Sequence, residues 1–325
     1  MTALSSPPLR DRARGALLGL AVGDALGTTL EFSTRDSLPH HTEMTGGGPF
    51  RLAPGQWTDD TAMALALADS LVAAPGFDPH DLMTRFVAWW RNGIYSCTGR
   101  CFDIGITTRQ ALARFERAGE PFAGSTDPDT AGNGSLMRLA PAALVALDDA
   151  READRIAREQ GRTTHGADQA LEACAYFVQL LRGAIRGEAG VLRPRAWVGA
   201  DTDGLRWADY TSGTDDALTP IAWTGDAAVD AIARGSWRGK TRDQIRASGY
   251  VIHTLEAALW AVGTTDSFEP ALTAAVNLGE DADTVGAVAG QLAGALYGAS
   301  GIPPRWLEPL AWRDRLVETA DRLVI

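Results

Sequence analysis

From Arg14 onward, apolar residues return every three or four positions, and alternating β-branched runs bounded by turn signals are scarce. This periodicity predicts an all-α chain. Candidate helices fall at 10–27, 58–73, 79–92, 102–118, 134–147, 151–161, 164–186, 225–234, 243–262, 266–276 and 284–299, joined by short connections. Such a series packs as a compact orthogonal multi-helix bundle. Two stretches break the pattern. Ser33 to Gly55, containing Gly46-Gly47-Gly48-Pro49, reads as a loop that leads into the helix at 58. Glu188 to Lys240, containing Thr202-Asp203-Gly204 and Ser212-Gly213-Thr214-Asp215-Asp216, reads as long loops with short helices, of the kind that form rims or lids.

Two of the predicted helices carry glycine at a strict four-residue step: Gly15, Gly19, Gly23 and Gly27 in one, Gly286, Gly290, Gly294 and Gly298 in the other. Each glycine costs about 1 kcal/mol of helix propensity relative to alanine, so the repetition requires a packing reason. A four-residue step keeps the glycines on one face, where a neighbouring backbone can come close. Similar stripes join membrane helices, but Asp24, Gln291 and the short apolar lengths argue against a bilayer. Crossing central helices are expected instead.

Composition narrows the picture. Residues 1–9, with Ser5-Ser6-Pro7-Pro8, read as a loose tail, and 10–325 as one large domain, because no shift in composition divides it. Apolar content of 45% supports a sizeable core. A net charge of -11 opposes a nucleic-acid or anionic-lipid footprint, which needs clustered Lys and Arg. Cys97, Cys101 and Cys174 are too few and too irregular for a disulfide framework, which points to a reducing compartment. Arg10, Arg12 and Arg14 before Ala16 to Val22 imitate a signal peptide, but Asp24 interrupts the run, and the protein is expected in the cytoplasm.

The strongest chemical signal is a pair of acidic clusters, Thr58-Asp59-Asp60-Thr61 and Glu280-Asp281-Ala282-Asp283-Thr284, each leading into an apolar helical run. One cluster alone is explained as a helix cap. Two are not, because capping needs one side chain per helix end and surplus carboxylates repel unless a cation separates them. Brought together, the four aspartates and the hydroxyls of Thr58 and Thr284 make an all-oxygen set for two hard divalent cations. Gly132-Asn133-Gly134-Ser135-Leu136-Met137-Arg138 places glycines and polar groups ahead of an apolar run, which suits either a turn or an anion on backbone N–H groups.

In this order, Gly15-Ala16-Leu17-Leu18-Gly19 through Gly27, Trp57-Thr58-Asp59-Asp60-Thr61, Gly132 to Arg138, Thr164-His165 and Gly279 to Thr284 resemble the ADP-ribosylglycohydrolase family, over most of the chain. The likeness is to its bacterial branch, which reactivates ADP-ribosylated dinitrogenase reductase. It implies two magnesium or manganese ions at the bottom of a cleft, held by Thr58, Asp59, Asp60, Asp281, Asp283 and Thr284. It also implies substrate contacts from Gly132, Asn133, Gly134, Ser135, Met137, His165 and Tyr250. The last two have ordinary alternatives, a cap or core position for His165 and a helix core position for Tyr250. Glu31, Asp60, Asp103 and Asp283 are candidates to accept a proton from the attacking water, with a helix N-cap as the alternative for Asp103. Glu280 stands where relatives often have glycine, and Ile106 where that branch has polar residues. The implied activity is removal of ADP-ribose from modified protein, by cleavage of the N-glycosidic bond to arginine. Rival readings are hydrolysis of another ADP-ribose linkage (O-linked serine, O-acetyl-ADP-ribose, poly-ADP-ribose or a modified nucleobase) and a non-catalytic binding or structural role.

Overall fold

The computed structural model describes residues 7–73, 76–201, 204–209 and 225–324. Thirteen α-helices occur among them. In chain order they are α1 (Leu9–Gly27), α2 (Asp59–Ala73), α3 (Pro79–Asn92), α4 (Ile106–Ala118), α5 (Ala140–Val145), α6 (Ala150–Thr164), α7 (Asp168–Arg186), α8 (Ala227–Ala233), α9 (Val251–Gly263), α10 (Phe268–Val276), α11 (Ala282–Tyr297), α12 (Pro304–Leu307) and α13 (Arg313–Leu323). The fold is an all-α multi-helix bundle with one small appendage. That appendage is an antiparallel pair, β1 (Arg195–Asp201) and β2 (Gly204–Asp209), with a register shift between Trp197 and Ala200.

Helices α1 and α11 form the axis of the bundle and run antiparallel. Gly15 faces Gly294, Gly19 faces Gly290 and Gly23 faces Gly286, while Gly27 meets the backbone of Ala282 and Asp283. A Cβ on any of these seven glycines would fall on a main-chain atom of the opposite helix, so only glycine permits the approach, whereas one on Gly298 would meet the Asp11 side chain. Around the axis pack α2, α5, α7, α9, α10 and α13, and the buried apolar residues of all of them join one connected core. The last helix is clamped to the first by Asp321, whose carboxylate accepts from Arg10 and Arg14 at 2.7–2.9 Å.

Several expected elements are corrected. Helix α4 begins at Ile106 rather than 102, because Asp103 takes a left-handed backbone (φ 58°) that ends any regular turn. Asp103 is therefore not a helix cap, and Gly105 occupies that position. The stretch from 134 to 139 is a series of turns before α5. Helix α9 starts at Val251, because Thr241 and Gln244 close a capping box around a separate short turn and Ile245 is extended. Cys97 and Cys101 lie in the turns before α4. The region from Glu188 contributes β1 and β2 where only loops and short helices were expected. Residues 1–6 of the expected tail, Thr202, Asp203 and the Ser212–Asp216 run lie outside the described residues. No helix among the described residues is long and apolar enough to cross a membrane.

The α1–α11 contact gives a test in which two effects oppose. In an open helix Gly290→Ala stabilises by about 1 kcal/mol through propensity. Here the added methyl meets the Gly19 carbonyl, and overpacking of this kind costs about 1–3 kcal/mol or more. Urea unfolding is expected to show net destabilisation, and a neutral or stabilised variant contradicts the close approach.

Candidate metal centre

The antiparallel axis brings the C-terminal turn of α1 beside the N-terminus of α11. Asp24 sits in that last turn, fully buried, and Glu31 follows it after one short turn. Asp24 anchors the first acidic cluster. Its Oδ1 accepts from the N–H and hydroxyl of Thr58 (2.8 and 2.9 Å), and its Oδ2 from the N–H and hydroxyl of Thr61 (3.0 and 2.6 Å). One carboxylate thereby satisfies two orphan donors at the start of α2. Glu31 does the equivalent for α11, accepting from the N–H of Asp283 at 3.3 Å. Asn133 donates to Asp281 at 2.7 Å and to Thr254 at 2.8 Å.

Two groups of three carboxylates result, Asp24 with Asp60 and Asp283, and Glu31 with Asp281 and Asp283, each with oxygens within 4.8 Å of one another. Asp283 belongs to both. The hydrogen bonds separate ligand from support. Both oxygens of Asp24 already accept two protons each, which exhausts their lone pairs, so Asp24 orients Thr58 rather than facing a cation. The single hydroxyl proton of Thr58 goes to Asp24. Its oxygen then lies 3.3 Å from Asp60 Oδ2 and 3.4 Å from Asp283 Oδ2 with no proton between. Oxygens of a divalent cation's shell, at ~2.0–2.5 Å from the metal, are spaced about 3 Å or a little more from each other. Asp60 Oδ1 is buried with no partner at all. This donor set fits hard divalent cations.

Charge crowding makes the same point. Burial, then the charge of Asp283, pushes Asp24 and Asp281 up to about 7. Asp59, Asp60 and Glu31 are also raised, by burial first and by neighbouring carboxylates second. Asp103 is pushed up to about 11 by burial, Asp59 and Asp283. Positive charge placed among these groups relieves the repulsion.

A cavity of about 730 Å3 opens over the centre. Its wall includes Glu31, Asp59, Asp103, Asp281, Asp283, Thr284, Gly132, Asn133, Gly134, Met137 and His165. Thr58 and Asp60 lie behind that wall. Ser135 does not reach the cavity: it is fully buried, and its hydroxyl accepts from Cys174 at 3.4 Å. Tyr250 lies in an adjoining pocket that shares Thr107, Gly132 and Gly249 with the first, and its hydroxyl donates to Gln169. It is 37% exposed, which rules out the core alternative. His165 is buried, and burial followed by the charge of Arg138 pushes its imidazole down to about 3, so it is neutral at pH 7. Sequence reasoning missed Asp24 as part of the centre, although a lone carboxylate on a glycine-striped apolar helix was the available signal. It also missed Phe32, an exposed ring at the cavity mouth.

A family model described as ADP-ribosylglycohydrolase matches residues 5–325. The chain is 46% identical to ADP-ribosylarginine hydrolase Tri1 of Pseudomonas putida, over 96% of this chain and 78% of that protein. It is 43% identical to the protein of the same name from Serratia proteamaculans, over 96% and 79%. Against the ADP-ribosyl-[dinitrogen reductase] glycohydrolase of Rhodospirillum rubrum the identity is 35%, over 94% and 92%. A solved structure described as an ADP-ribosylglycohydrolase-related protein complex superposes with a TM-score of 0.79 at 42% identity, covering 97% of this chain and 98% of that one.

Proton linkage sets the pH response of the metal-free protein. Asp281 is pushed up to about 7 against 3.8 for the free side chain, and Asp59 and Asp60 are raised in the same direction, so the folded state holds protons that the unfolded state releases. Stability in EDTA is therefore highest below about pH 4 for these groups and falls as pH rises through about 7. Divalent cations compete with those protons and bind more tightly as pH rises. Melting temperatures from pH 5 to 8 are expected to fall in EDTA and to flatten or rise with Mn2+; parallel curves contradict a shared site.

Proposed function

This chain belongs to the ADP-ribosylglycohydrolase family, and we propose that it removes ADP-ribose from modified protein by hydrolysing the N-glycosidic bond to arginine. The observation that carries this reading is identity of 43–46% along 96% of the chain to two proteins named as ADP-ribosylarginine hydrolases. The acidic cavity supplies the chemistry such a reaction needs.

Thr58, Asp60 and Asp283 would hold one cation, and Asp281, Asp283 and Glu31 the other, with Asp59 and Thr284 on the adjoining wall. Mg2+ or Mn2+ suits this all-oxygen set. When bound, such ions polarise oxygens and ease the ionisation of water at neutral pH. The side chains do the rest. Asp59 and Asp103 are wall carboxylates outside both three-carboxylate groups. We assign Asp103 the proton released by the attacking water: its carboxylate is not committed to a cation, and the charge of divalent cations held by its neighbours would draw it down from about 11 into its ionised form. Positive charge that develops on the ribose as the bond breaks is stabilised by the same carboxylates.

At the mouth, the departing guanidinium meets Phe32 and Glu280. Phe32 is 69% exposed, and both residues line the cavity. Both have left-handed backbones (φ 59° and 60°), fixed by reciprocal main-chain bonds: Phe32 N–H donates to the Glu280 carbonyl at 2.7 Å, and Glu280 N–H to that of Ser33 at 2.8 Å. An aromatic face beside a carboxylate recognises a planar cation. Asn133, Met137 and His165, which also line the cavity, are left for the ADP-ribose moiety.

The test is release of ADP-ribose from arginine-modified protein in Mg2+, Mn2+ or EDTA. Release is expected only with metal, and Asp283→Ala is expected to lose both turnover and metal-induced thermal stabilisation. Asp103→Asn is expected to lose 10²–10⁴-fold in kcat, the range for a proton-transfer group, while keeping the metal stabilisation. Metal and ADP-ribose binding without release from arginine rejects the linkage assignment and favours an O-linked substrate.

A further inference from the structure

Arg138 is the most deeply buried cation among the described residues, fully enclosed and without a carboxylate partner. Its guanidinium lies 4.7 Å from the ring centre of Phe86, and its Nε and Nη1 donate to Gln160 Oε1 (2.8 Å) and the Gly134 carbonyl (3.0 Å). Nη2 has two protons and two short partners, the Gln160 carbonyl and the Thr164 hydroxyl, both at 2.9 Å. A guanidinium can only donate. Thr164 Oγ1 therefore accepts from Arg138.

The same hydroxyl lies 2.8 Å from His165 Nδ1. Thr164 is fully buried, and among the described residues its oxygen has no third partner. Its own proton then has a single acceptor, His165 Nδ1. That assignment places the imidazole proton on Nε2. Nε2 has no protein partner among the described residues, and the ring forms part of the cavity wall. Gly132 and Gly134 flank it. A Cβ at Gly134 would stand 2.6 Å from Cε1 and 3.0 Å from Nε2, so the glycine leaves room for the ring.

We infer that Arg138 and Thr164 act as positioning residues that fix the tautomer of His165, so that the cavity receives an Nε2–H donor for an oxygen of the bound nucleoside diphosphate sugar. The choice of that ligand rests on the proposed activity; the tautomer does not. A neutral imidazole so held is a fixed donor and not an acid at pH 7, which separates it from the proton-transferring carboxylates.

The test is nitrogen NMR of the His165 ring together with ADP-ribose titration by calorimetry, in the full-length Mg2+-loaded protein. Wild type is expected to show one tautomer, protonated at Nε2, with Nδ1 as acceptor. Thr164→Val is expected to give a tautomer mixture and roughly tenfold or weaker ADP-ribose binding, on the scale of one lost hydrogen bond. Thr164→Ser, which keeps the hydroxyl, is expected to restore both. A wild-type ring protonated at Nδ1 overturns the relay, as does a Thr164→Val protein unchanged in tautomer and affinity. Wild-type protein that binds no ADP-ribose sinks the activity reading and the ligand half of the inference, while the ring signals still decide the tautomer.

Discussion

The contact on which everything else depends is the glycine-lined meeting of α1 and α11. Helices packed through ordinary side chains lie about 8–10 Å apart, and the carboxylates at their ends would be correspondingly separated. Here backbone meets backbone from Gly15 to Gly27. Because the helices are antiparallel, the same approach that closes the core sets Asp24 and Glu31 beside Asp281 and Asp283. The loss of about 1 kcal/mol of propensity at each glycine is offset by continuous burial along both helices.

That placement creates an electrostatic problem inside the fold. Buried carboxylates raise each other's proton affinity, and the described structure offers two kinds of positive potential and room for a third rather than a salt bridge. Helix N-termini of α2 and α11 point backbone N–H groups at Asp24 and Glu31. Arg138 stands behind the cavity wall with its charge tied to neutral acceptors. The unpartnered Asp60 oxygen and the proton-free contacts around Thr58 leave the remainder to divalent cations. Asp24 is distinct within this group because four donated protons make it a structural anchor for Thr58 and Thr61.

The parts legible in the sequence were those written in residue type at fixed spacing. A glycine every fourth position has few explanations, and paired aspartates at two helix starts exceed what capping requires. Less was legible where tertiary contacts decide. Asp24 looked like an interruption of an apolar run, because its four donors lie 34 and 37 positions away. The α4 start was misplaced by the left-handed Asp103. Ser135 sits in a motif whose neighbours line the cavity, yet the turn there directs its hydroxyl to Cys174. Helix α13 carried a readable stripe, Leu316, Thr319, Ala320 and Leu323, that charged neighbours obscured. The β1–β2 pair is short and broken by a register shift, so its alternation is incomplete.

The Gly132 to Arg138 segment joins the two halves of the site. Asn133 donates from one amide group to both Asp281 and Thr254, so the acidic cluster of α11 and the start of α9 share a single side chain. Gln291 on α11 donates to the Met137 carbonyl at 2.7 Å, which holds the other end of the segment to the axis. The Asn133 N–H donates to the Gly249 carbonyl, beside Tyr250 and the second pocket. A displacement of α11 relative to α1 therefore moves Asp281, Asn133 and Met137 together. The wall assigned to ADP-ribose and the carboxylates assigned to the cations are one mechanical unit. The seven glycines that allow the helices to meet also set the distance between that wall and those carboxylates.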